Sequence, residues 1–194
     1  MNPEVLPADR FQHFLSRLNA LIDADPSETE VLQQGQEILA ELVSHDDWLA
    51  EEFTIPHPEY YQQYLLYADP EDRFSVVSFV WGPGQVTPIH DHTVWALVGT
   101  MRGAESCQPY QRTDQGKWQP WGEQLDLAPG DVETVSPAIG DVHQVWNPLK
   151  DQVSISVHVY GGNIGKINRH TYREDGTSKE FVSGYSNLSF KEQV

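Results

Sequence analysis

Residues 86–103 read VTPIHDHTVWALVGTMRG, a largely apolar run that carries two histidines one residue apart. On a β-strand, residues i and i+2 project from the same face. His90 and His92 are therefore expected side by side, with Asp91 on the opposite face. Four residues beyond His92 stands Ala96, so no acid occupies that place. Two imidazoles at this spacing suit a metal ion, and they also suit interior histidines held only by hydrogen bonds.

The surrounding spacing separates these two readings. Gly84 precedes His90 by six positions and Gly103 follows Ala96 by seven. Downstream, GDVETVSPAIGDVHQVWN places Gly130, Pro137, Gly140, His143 and Asn147 in that order. The arrangement resembles the two motifs of the cupin superfamily over about residues 82–147. Those motifs are a glycine, a His-x-His, usually a glutamate and a glycine, followed by Gly…Pro…Gly-x-x-His-x-x-x-Asn. There are two departures: one extra residue around SPAIG, and Ala96 in place of the glutamate. The resemblance implies a β-barrel in which His90, His92 and His143 converge on a metal. Three neutral imidazoles without a carboxylate would leave the 2+ charge uncompensated and favour an anionic incoming ligand such as thiolate or hydroxide. Imidazole alone does not choose among zinc, iron, nickel and copper. No cysteine lies near these histidines in the sequence, which argues against a closed four-ligand structural zinc site.

The rest of the chain divides into helices followed by strands. Phe11, Phe14, Leu15, Leu18, Leu21 and Ile22 follow helical periodicity, with Asp9 as an N-cap. Ser27 and Glu30 have capping-box spacing and open a second helix through Val31, Ile38, Leu39 and Leu42, with Gly35 unfavourable inside it. Pro26 separates the two helices, and a short third helix is expected in DDWLAEEF. Beyond Pro56 the pattern turns to strands at 74–81, 93–99, 132–136, 143–146 and 153–160. Gly- and Pro-rich turns punctuate them. The expectation is one domain, mainly β: a cupin β-barrel of jelly-roll type over 56–194, with the helical segment 1–55 packed on it.

Composition narrows the partners. The 194 residues include 12 Lys and Arg against 29 Asp and Glu, a formal net charge of −17. Such a surface repels phosphate backbones, so nucleic acid and anionic membranes are excluded as expected partners. An anionic substrate would need a local basic anchor. The single cysteine, Cys107, rules out an internal disulfide framework. The N-terminal residues lack the layout of a signal peptide, and no apolar run approaches the roughly 18 residues of a membrane span. A cytoplasmic protein, monomeric or weakly homo-oligomeric, is expected.

The segment VSISVHVYGG, residues 153–162, adds Ser156, His158 and Tyr160 at alternate positions of one strand. An inward-facing Ser–His–Tyr chain would hold the phenol in a fixed protonation state beside the metal. The other reading is an outward polar face on an edge strand, with Val157 and Val159 buried. Together, PIHDHT, GDVHQVWN and SVHVY resemble the thiol dioxygenase branch of the cupins, from about residue 55 to 170. That branch comprises cysteine dioxygenase and 3-mercaptopropionate dioxygenase. The resemblance implies one Fe(II) per chain held by the three histidines, open positions for the substrate thiolate and O2, and a sulfinic acid as product.

Three positions bear on the branch. Animal-type cysteine dioxygenases cross-link a cysteine beside the metal to the tyrosine that Tyr160 resembles. Near Ala96 there is no thiol, and Cys107 lies beyond Gly103, so no cross-link is expected. Those enzymes also place an arginine upstream of the barrel motif, whereas YYQQYLLY here offers Gln62 and Gln63. The 3-mercaptopropionate dioxygenases resemble this chain in having a glutamine at the position of Gln63 and a downstream arginine, here Arg169, that pairs with the carboxylate. A guanidinium suits that task because its planar fork binds carboxylate bidentately. The expected reaction is therefore oxidation of a small thiol carboxylate, 3-mercaptopropionate to 3-sulfinopropionate, with Ser156, His158 and Tyr160 as the catalytic group. L-cysteine as substrate, a zinc or manganese hydrolase or isomerase, and a non-catalytic ligand-binding cupin remain as alternatives.

Overall fold

The structure, a computed structural model, describes residues 9–188. Helix α1 spans Arg10–Asp23 and α2 spans Glu28–Val43. At α2 the capping box forms: the Ser27 hydroxyl accepts from the Glu30 amide, and the Glu30 carboxylate accepts from the Ser27 amide at 2.8 Å. Asp9 sits at the N-cap of α1, but its side chain makes no capping bond. The expected third helix is not there. Residues 46–49 bend, and only a single 3-10 turn forms at Glu51–Phe53. Trp48 explains this: its ring stacks on Phe11 at 5.3 Å, and its Nε1 donates to Leu42 O at the end of α2. The segment folds back over the helix pair instead of starting a new helix.

Twelve strands follow: β1 (Gln62–Ala68), β2 (Ser75–Trp81), β3 (Ile89–His90), β4 (Ala96–Arg102), β5 (Glu105–Arg112), β6 (Trp118–Pro120), β7 (Leu125–Leu127), β8 (Val132–Val135), β9 (His143–Trp146), β10 (Ser154–Tyr160), β11 (Arg169–Tyr172) and β12 (Ser178–Phe181). One antiparallel sheet runs β1-β2-β10-β4-β8. The other runs β12-β11-β3-β9-β5-β6, with β7 also on β5. The result is the expected mainly β architecture with two helices on it. No helix among the described residues is long and apolar enough to cross a membrane.

Strand alternation divides the interior in two. On β10, Ile155, Val157 and Val159 face the helices and share a core with Leu18, Leu39 and Leu42. Ser156, His158 and Tyr160 take the other face, toward the second sheet, as the period of two requires. β10 is a central strand buried on both faces, so the edge-strand reading of this segment does not hold. Two glycines let α2 sit close on β4. A Cβ on Gly99 would come within 3.0–3.1 Å of Leu39 and Val43, and one on Gly35 would meet Leu97 at 2.7 Å. Close packing offsets the helix-propensity cost of Gly35.

A three-histidine centre and its cavity

β3 is only two residues long, and His90 is the register partner of His143 on β9. His92 lies beyond the strand end, so simple i, i+2 alternation does not place it. The chain turns there, with Thr93 at φ 61°, and the Asp141 carboxylate holds the turn. It accepts from the amides of His92 and Thr93 and lies 2.8 Å from His92 Nδ1. The three imidazole centroids form a near-equilateral triangle, 4.8–4.9 Å on a side. Each offers a ligand nitrogen within 4.8 Å of the others. Asp91 turns away and accepts from the His170 amide and the Tyr172 hydroxyl.

Every Nδ1 of the triad has a protein neighbour. His90 Nδ1 lies 3.1 Å from Pro88 O, His92 Nδ1 contacts Asp141, and His143 Nδ1 lies 3.2 Å from Cys107 Sγ. Because the Cys107 thiol donates to Glu133 Oε1 at 3.3 Å, its sulfur accepts from His143. The three Nε2 atoms are left as donors to a common centre, with tautomers fixed by the partners behind them. Burial keeps these rings neutral. His90 is lowered to about 4 by burial and then by the charge of Arg169. His92 and His143 fall well below the usual histidine range, by burial first and then by neighbouring histidines. Neutral, convergent nitrogens fit a divalent transition metal.

Cys107, distant from the histidines in sequence, is carried to the back of His143 by the β5–β9 pairing. With Glu133 and His143 it forms a second buried group of metal-competent atoms. Burial, then the nearby Glu133 carboxylate, pushes the Cys107 thiol up, and burial raises Glu133 to about 7.

A cavity of about 140 Å³ opens on His90 and His143 of the triad and is also lined by His158, Tyr160, Arg169 and Gln63 among others. It is far smaller than the ~300–1,000 Å³ of typical small-molecule pockets. Tyr61, Phe79, Trp81 and Val145 supply apolar wall. Gln63 is among the residues lining the cavity and its neighbour Gln62 is not. The Gln63 backbone is clamped by Ser186, whose hydroxyl accepts from its amide.

Arg169 opens β11 and is 3% exposed. Its Nη2 donates to Ser183 Oγ at 2.7 Å, its guanidinium lies 4.6 Å from the Phe181 ring centroid, and its Nε has no partner. It makes no ion pair among the described residues. Ser156, His158 and Tyr160 form a continuous chain, with 2.9 Å between Ser156 Oγ and His158 Nε2 and 2.9 Å between His158 Nδ1 and the Tyr160 hydroxyl. Burial raises the Tyr160 phenol far above its ordinary range.

Sequence reasoning missed Asp141, Glu105 and Glu133. Asp141 had a faint signal two positions before His143. The other two reach their partners across the space between the two sheets.

No family model matches the chain. Solved structures of similar shape include an uncharacterised conserved protein with a double-stranded β-helix domain from Klebsiella pneumoniae, at 21% identity, 58% of this chain, 82% of that chain and a TM-score of 0.46. Another is a cupin superfamily protein from Desulfitobacterium hafniense, at 14% identity, 64% and 88% coverage and a TM-score of 0.44. A third is a DMSP lyase from Ruegeria pomeroyi, at 15% identity, 61% and 53% coverage and a TM-score of 0.43.

Proposed function

We propose that this chain is an Fe(II)-dependent thiol dioxygenase that converts a small thiol carboxylate, 3-mercaptopropionate, to its sulfinic acid. The observation that carries the reading is Arg169: a buried guanidinium without a counter-ion among the described residues, in the same small cavity as His90 and His143, two of the three convergent neutral imidazoles. An unpaired buried cation is costly, and a ligand carboxylate would relieve it.

His90, His92 and His143 would hold the iron. Ferrous iron, when bound there, supplies the redox chemistry by which O2 oxidises the thiol sulfur. Arg169 anchors the carboxylate through charge-assisted hydrogen bonds and so fixes the sulfur end of the molecule toward the histidines. Gln63 offers an amide to the same ligand. The aromatic wall of Tyr61, Phe79 and Trp81 excludes water. Tyr160, tied to His158 and Ser156, presents its oxygen at a fixed position in the cavity. None of the lining residues is Asp or Glu. An α-ammonium group would therefore meet no opposite charge, which favours 3-mercaptopropionate over L-cysteine.

Oxygen uptake by iron-loaded protein with 3-mercaptopropionate, L-cysteine and cysteamine tests the reading. The highest kcat/KM is expected for 3-mercaptopropionate. A much higher value for L-cysteine would overturn the substrate, and no uptake with any thiol would overturn the reaction.

A further inference from the structure

We infer that Glu105 sets the direction of the hydrogen-bond chain behind Tyr160, so that the phenol turns a lone pair, not its proton, toward the cavity. Glu105 is 1% exposed on β5 and accepts from the Ser156 hydroxyl at 2.6 Å through Oε2. Its other oxygen, Oε1, is buried without a hydrogen-bond partner among the described residues. It lies 51 positions from Ser156 and belongs to neither histidine motif.

The direction follows from counting donors. A serine hydroxyl has one hydrogen and two lone pairs. Ser156 gives its hydrogen to Glu105, and one lone pair receives the Trp81 Nε1–H at 3.1 Å. The contact with His158 Nε2 must then run from histidine to serine, so His158 carries its proton on Nε2. His158 Nδ1 is thereby left as an acceptor, and the only hydrogen available to it at 2.9 Å is that of Tyr160. The phenolic hydrogen points back along the chain, and the oxygen meets whatever enters the cavity as an acceptor. Without Glu105, Ser156 is free to donate to His158 Nε2. The imidazole then takes the other tautomer, and the Tyr160 hydrogen turns into the cavity. Glu105 is thus a positioning residue for Tyr160. In the proposed thiol oxidation, on which this role for Tyr160 rests, the phenol oxygen would accept a hydrogen bond from an arriving thiol S–H before the sulfur is held as thiolate.

The tautomer of His158 is the direct readout. The full chain, selectively nitrogen-15 labelled at histidine and loaded with diamagnetic zinc, gives one resonance pair assigned by its loss in His158→Gln. The expected wild-type pattern is a protonated Nε2 and an unprotonated Nδ1. Glu105→Gln, which keeps a carbonyl acceptor for Ser156, retains that pattern. Glu105→Met, of similar length without an acceptor, reverses it. A wild-type His158 protonated at Nδ1, or at both nitrogens, overturns the inference whether or not either variant folds. So does a folded Glu105→Met variant whose pattern is unchanged. The measurement needs no turnover. Failure to oxidise any thiol would remove the proposed reaction and leave the role of Glu105 intact, and the opposite tautomer would do the reverse.

Discussion

His90 and His143 face each other as register partners on β3 and β9, with ring centroids 4.8 Å apart. This pairing fixes two corners of the triad through backbone hydrogen bonds. The third corner, His92, depends on the Asp141 carboxylate, which takes two amides and the ring Nδ1. Asp141→Asn is therefore expected to weaken metal binding by about 10–100-fold while leaving the fold intact. Competition with a chelator measures this, and unchanged affinity would show that His92 is positioned without Asp141.

Arg169→Ala is expected to lower kcat/KM for 3-mercaptopropionate by about a hundredfold or more, given ~1.5–3 kcal/mol for each charge-assisted hydrogen bond lost. Cysteamine, which lacks a carboxylate, should lose far less. Equal losses with both thiols would mean that Arg169 supports the fold and does not bind the carboxylate.

Gly161 follows Tyr160 directly, and its amide donates to Trp95 O at 2.9 Å. A Cβ there would lie inside van der Waals contact with three atoms of the Trp95 indole. A ring cannot yield as a flexible side chain does, so Gly161→Ala should cost about 1–3 kcal/mol. Chemical denaturation reports it as a lower midpoint with an unchanged slope, and a wild-type midpoint would contradict the close approach.

The buried Asp69 carboxylate accepts from Arg73 Nε and Nη2 and from the Glu71 and Arg73 amides. Hydrogen bonding from the Arg73 side chain is the largest influence, and it lowers Asp69 to about 2. A depressed folded pKa stabilises the protein fully above the unfolded value of about 3.9, and that contribution is lost as pH falls toward 2. Asp69→Asn should therefore be less stable than wild type at neutral pH, with the gap narrowing between about pH 4 and 2. A gap independent of pH would contradict the linkage.

Much of the architecture was legible in the residues themselves. The two helices announce their periodicity and, for α2, a reciprocal cap. β10 alternates hydroxyl, imidazole and phenol with branched aliphatics because its two faces meet different cores. β5 gave no such signal. Its buried face carries Glu105 and Cys107, and Pro109 interrupts it, so polarity disguised an interior strand. The short strands β11 and β12 are too brief for any period to show. Within the site, the His90–His92 pair and the Ser–His–Tyr segment are local patterns, and His143 stands in a second spaced motif. The contacts of His92 with Asp141 and of Ser156 with Glu105 span 49 and 51 positions. The first pair meets between turns beyond the strand ends and the second across the space between the two sheets, and one sequence does not display such packing.

The central claim is that the three-histidine cavity directs O2 onto the sulfur of a small thiol carboxylate. Incubating iron-loaded protein with 3-mercaptopropionate under isotopically labelled O2, followed by mass spectrometry of the product, tests it most directly. The account predicts a sulfinate with both new oxygen atoms labelled, and loss of that product in His143→Ala. A disulfide product, or a sulfinate whose oxygen comes from water, would contradict it.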